Sequence, residues 1–172
     1  MIALFNKILF NITKYAAWIG MIFLLGAVLL TTTDVVLRKV DSAGIYGAID
    51  LIQLMIMSAA YLSIPYTFMS RAHVAVSIFT DHMGRRAVSL SQALATILGF
   101  GFMMAVAYYG YLQAVQQIEY GDVSMIFGLP MVYYWAPLIF GSALSGIVTL
   151  HICVESLYSA ITGRSGLARE VE

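Results

Sequence analysis

Charged side chains are scarce in this sequence. Only 10% of its 172 residues are Asp, Glu, Lys or Arg, and 61% are hydrophobic. A soluble domain carries about 25% charged residues, so this chain lacks the polar groups needed to cover a globule in water. Neither sign of charge dominates: nine basic residues balance nine acidic ones. That balance excludes bulk electrostatic attraction to nucleic acid. The chain has one cysteine, Cys153. An internal disulfide and a cysteine-rich metal cluster are thereby excluded, while the compartment stays open. There is no internal repeat and no low-complexity linker.

What the chain does have is four long apolar segments, residues 15–33, 51–69, 88–112 and 131–158. None contains Asp, Lys or Arg, and the only ionisable groups in them are His151 and Glu155, toward one end of the last. A bilayer core about 30 Å thick needs ~20 apolar residues as helix. The strands of a membrane barrel would instead alternate over about ten residues. The expected fold is an all-α integral membrane protein with four transmembrane helices over residues 15–158 and a cytoplasmic tail over 159–172. The first segment is longer than the ~7–15-residue apolar core of a signal peptide, and no A-x-A-like cleavage site follows it, so a retained span is expected.

Residues 1–14 read as an interfacial amphipathic helix. Phe5, Ile8, Leu9 and Ile12 share one face and Lys7, Asn11 and Lys14 the other. Orientation follows from the basic residues. Lys7, Lys14, Arg71, Arg85, Arg86, Arg164 and Arg169 fall on one side of a four-span chain, and only Arg38 and Lys39 on the other. Both termini are therefore expected in the cytoplasm, with Tyr133, Tyr134 and Trp135 in the outer interfacial belt.

The middles of the spans hold no ionisable group. Ion and proton pathways normally need such groups in the membrane, and so short a chain has no room for inverted repeats of broken helices. Transport by this chain alone is not expected; support of a larger membrane complex is. Charge gathers at the outer helix ends. Asp34 and Arg38 are four residues apart and can pair on one face, and Asp50 falls where the second helix begins, a position the helix dipole favours for a carboxylate. Small residues four apart, Gly141 with Ser145, Ser142 with Gly146 and Ala95 with Gly99, allow close helix approach. Pro65 is expected to kink the second helix or mark its last turn. Pro130 looks like a helix-start proline.

Three stretches together resemble the small membrane subunit of tripartite ATP-independent periplasmic (TRAP) transporters. "DVVLRKVDSAGIYGAIDLIQL" is similar to the family's pattern of an arginine closing helix one, a short loop and an acidic residue opening helix two. Arg38 and Asp50 take those positions, the second more often glutamate in the family. "SRAHVAVSIF" resembles a His-[Ile/Val]-x-Val-Asp signature through His73, Val74 and Val76, with Ser77 in place of the aspartate. "GDVSMIFGLPMVYYWAPLIFGSAL" resembles a polar outer loop followed by a helix-four start, with Pro130, Tyr133 and Trp135 in it. The resemblance implies a non-catalytic subunit of a sodium-coupled transporter in the bacterial inner membrane. It implies two partners, a large multi-spanning subunit and a periplasmic substrate-binding protein that delivers an organic acid. Asp34, Arg38 and Asp50 all map to the outer ends of the first two helices, and in such a complex they are expected to form a rim facing either the large subunit or the periplasmic protein.

No cofactor is expected. The step from His73 to His82 is no recognised zinc spacing and no cysteine lies near it; the loop that holds them is expected to be cytoplasmic, with Arg85 and Arg86 against lipid head groups. The alternative is a haem-binding anchor of an oxidoreductase, suggested by four helices and three histidines. It would need histidines on facing helices at one depth, and only His151 is clearly helical. A third possibility, an independent small exporter, would need an acidic residue within the membrane.

Overall fold

The computed structural model describes the backbone of residues 2–41, 44–70, 85–124 and 126–162, and the side chains of residues 6–40, 44–70, 94–124 and 126–154. Among the described residues the regular structure is helical, apart from one isolated bridge, Val123 with Pro130. The helices are α1 (Ile2–Asp41), α2 (Ala48–Met69), α3 (Arg85–Tyr120) and α4 (Val132–Thr162). Each contains a stretch long and apolar enough to cross a membrane.

The 40 residues of α1 rise about 60 Å, twice a bilayer core. The helix runs through residues 14 and 15 without a break. Arg38 and Lys39 lie in its last turn, where cations meet the negative end of the helix dipole. α2 starts after Gly47, whose φ of 70° is left-handed. It holds Pro65 inside its last turns, so the helix continues past the proline to Met69.

Packing runs from α1 to α2, from α2 to α4 and from α4 to α3. α4 is the central helix: 56% of its apolar span is buried, against 11% to 22% for the others. Its burial follows from small residues. Gly141, Ser142, Ser145 and Gly146 are all buried, and a Cβ on Gly141 would overlap the backbone carbonyl of Tyr61. Pro65 explains why that carbonyl is available, because a proline supplies no N–H to the carbonyl four residues back. In α3, Gly99 packs against Phe68, whereas Ala95 is exposed and takes no part in the contact. Toward the end of the bundle nearest the termini, Leu9 and Ala16 of α1 join Leu144, Val148 and Ile152 of α4 in one apolar cluster.

Candidate functional site: the loop-bearing rim

Polar groups inside the bundle leave little free chemistry. Ser58, Ser63, Ser142, Ser145 and Thr149 each donate to a carbonyl four residues back in their own helix, at 2.6–2.9 Å. Thr31, Thr32 and Thr33 do the same at 2.7–2.8 Å. A hydroxyl bonded in this way can sit in an apolar layer without a partner elsewhere. Among the described residues no three His, Cys, Asp or Glu side chains gather at one place.

The concentrated chemistry lies at the end of the bundle that carries the α1–α2 and α3–α4 loops. Two carboxylates organise it. Asp34 is buried. Its Oδ2 accepts from Arg38 Nε at 2.7 Å, and its Oδ1 accepts from the backbone N–H of Ile45 at 2.7 Å. One carboxylate thus ties the end of α1 to the incoming strand of loop, and Gly44 lies directly over the ion pair.

Asp50, in the first turn of α2, turns to the other loop. Its carboxylate accepts from Ser124 Oγ, and from the N–H groups of Ile126 at 3.2 Å and Phe127 at 3.3 Å. Its backbone carbonyl accepts from Tyr134 Oη at 3.1 Å. Through these bonds this one residue fastens α2 to both the α3–α4 loop and the start of α4.

The α3–α4 loop has its own framework. Gly121, at φ 67°, closes α3: its N–H reaches Ile118 and that of Asp122 reaches Gln117, at 3.2 and 3.0 Å. These are the two bonds of a Schellman cap. A small hairpin follows, with Ser124 N–H on Leu129 at 2.8 Å and Met131 N–H on Asp122 at 3.2 Å. Pro130 sits opposite Val123 in that hairpin, two residues before α4 begins. It therefore ends the loop and is not the first residue of the helix. Trp135 Nε1 donates to Gln117 Oε1, joining α4 to α3.

The two loops also meet. Tyr46 Oη donates to the Ile126 carbonyl at 3.1 Å, and its ring stands edge-on to Phe127 at 5.9 Å between centroids. Phe127 covers Gly47 so closely that a side chain there would overlap the ring. The rim is one tied surface, from which Tyr46 (73%), Tyr120 (78%) and Tyr133 (57%) project into the open.

The residues singled out in the sequence therefore separate. Asp34 and Arg38 are joined; Asp50 belongs to a second station with Ser124, Ile126, Phe127 and Tyr134. Tyr133 is exposed, Trp135 is tied to Gln117, and Tyr134, read as part of an interfacial belt, is buried on Asp50. Ser124, Tyr46 and Gln117 carried no signal of their own in the sequence. The glycines Gly121 and Gly128, which bracket a turn, were the available clue to the hairpin. His73, Val74 and Val76 lie outside the described residues.

A family model described as tripartite ATP-independent periplasmic transporters, DctQ component, matches residues 27–161. That range includes both loops of the rim and all of α2 and α3. No curated protein and no solved structure matches the chain.

Proposed function

This chain belongs to the DctQ family, the small component of TRAP transporters, and is a multi-pass protein of the inner membrane; from that premise we propose that it is the fixed, non-catalytic brace of its transporter. It holds the large multi-spanning subunit, which carries the sodium and substrate sites. Its rim faces the periplasm and helps dock the substrate-binding protein that delivers an organic acid. Both termini are cytoplasmic.

One observation carries this reading. Among the described residues, the serine and threonine hydroxyls of the bundle named above are bonded inside their own helices, and both rim carboxylates are engaged in tying loops together. Moving an ion or an anionic substrate needs polar groups that can exchange partners along a path. Here the polar groups hold shape. A rim fixed in that way, with tyrosines projecting from it, suits a surface that must present one geometry to a soluble partner; aromatic residues are enriched in such interfaces.

The test is site-specific photo-crosslinking in the assembled transporter. A crosslinking residue at Tyr46 or Tyr120 should capture the substrate-binding protein, and one at Lys14 should not. Capture from Lys14 and from neither tyrosine would place docking at the opposite end and defeat the proposal.

A further inference from the structure

α1 has two opposed stripes. Leu9, Thr13, Ala16, Gly20 and Ala27 turn toward the other helices and are buried. At 3.6 residues per turn the opposite direction runs through Lys7, Asn11, Lys14 and Trp18, and continues through Leu25 and Leu29. All six are exposed. Read along the helix, this outward stripe passes from cation through amide, cation and indole to aliphatic. Tyr15, 70% exposed, stands beside Trp18 at 58%. The first carboxylate in the chain is Asp34, so no acidic side chain of α1 lies near the two lysines to neutralise them.

From the aliphatic residues to Lys14 the spacing matches the layers of a bilayer. Trp18 marks the depth that indole rings prefer, where hydrocarbon meets head groups. Lys14 lies about 6 Å further along the axis and Lys7 about 16 Å. The head-group layer adds roughly 5–8 Å on each side of the hydrocarbon core. Lys14 thus lies within the head-group layer, and because helical side chains lean toward the N-terminus its ammonium points outward among the phosphates. Lys7 stands in water outside them, within one Debye length (~8–10 Å) of the anionic surface. The bundle itself takes up Leu9 and Thr13, which is why the segment continues α1 and presents its basic side outward.

We propose that Lys7, Asn11, Lys14 and Trp18 form an anionic-phospholipid contact on the lipid-facing side of α1. The Lys14 ammonium engages the head-group phosphates, the Lys7 ammonium adds longer-range attraction from just outside them, and the indole lies at the glycerol level. The stripe precedes residue 27, where the family match begins, so the family assignment does not supply this contact.

The full-length chain is the object to test. It has two tryptophans, and Trp135→Phe leaves Trp18 as the sole reporter. In symmetric phosphatidylcholine bilayers, the quencher is brominated phosphatidylglycerol or brominated phosphatidylcholine at equal mole fraction. Both should quench Trp18, the anionic lipid more strongly. Each lysine near the surface contributes roughly fivefold to local enrichment of anionic lipid. Lys7→Gln with Lys14→Gln should bring the quenching ratio to about one, while Lys39→Gln leaves it unchanged. Equal quenching in the parent chain, or a preference that survives the double substitution, overturns the proposal. So does failure of either lipid to quench, which would mean that protein covers the stripe. Should Trp135→Phe perturb the fold, native mass spectrometry of the chain with its natural tryptophans decides. Phosphatidylglycerol adducts should exceed phosphatidylcholine adducts, and the excess should vanish in the double variant. An excess that persists there, or none in the parent, rejects the contact.

Discussion

The backbone carbonyl of Tyr61 lies against the Cα of Gly141, where α2 crosses α4, with no room between them for a methyl group. Pro65 removes the donor that would normally occupy this carbonyl, and Gly141 alone lets the second backbone come so near. The contact sets the separation of the two central helices. Gly101 in α3 is the natural control, since a Cβ there would meet nothing within 4 Å. Gly141→Ala should destabilise the bundle by about 1–3 kcal/mol, the usual cost of overpacking. Gly101→Ala should be neutral or stabilising by up to ~1 kcal/mol, from the lower entropy cost of alanine. Unfolding in mixed detergent followed by circular dichroism measures both.

Asp34 and Arg38 should not be equivalent in the same assay. The side chain of Arg38 is 54% exposed and that of Asp34 10%. An ion pair with one partner so open to solvent is a weak contributor, so Arg38→Ala should cost little. Asp34→Ala also strands the Ile45 N–H, a further loss that Arg38→Ala does not carry. The larger loss should therefore come from the carboxylate, and equal losses would show that Ile45 does not depend on it.

Asp50 makes a local claim that amide exchange can read residue by residue. Asp50→Ala removes the acceptor of the Ile126 and Phe127 N–H groups. Exchange at those two amides should quicken by about tenfold or more. Gly121 and Asp122, whose N–H groups bond within the α3 cap, should change little. Uniform acceleration across the whole loop would mean that Asp50 holds the loop as one unit.

Much of this architecture was legible in the sequence, for physical reasons that also define what was not. Four apolar runs gave four helices because the bilayer sets their length. The pairing of Asp34 with Arg38 followed from helical spacing, and the close approach at Gly141 from small residues four apart. Asp50 was harder. Its place in the first turn of α2 could be read, but its partners lie 74 to 77 residues away, and no local pattern reveals such a contact. The same limit hid Tyr134, whose membrane-belt composition is that of its exposed neighbour Tyr133. For residues 1–14 the helical wheel separated apolar from basic residues. It could not show that Leu9 packs against the bundle, because that depends on where α4 ends.

Topology is tested by reporter fusion. With both termini cytoplasmic, alkaline phosphatase fused after Glu172 should be inactive, and fused near Gly121 it should be active. The reverse pattern would turn the rim toward the cytoplasm and remove it from the reach of any periplasmic protein.

The central claim is that this chain braces a transporter whose substrate path lies elsewhere. It is tested most directly in proteoliposomes holding this chain, the large subunit, or both, with the substrate-binding protein and a sodium gradient applied. Uptake should require both membrane subunits, and liposomes with this chain alone should take up nothing. Sodium-driven uptake by this chain alone, or undiminished uptake by the large subunit without it, would contradict the account.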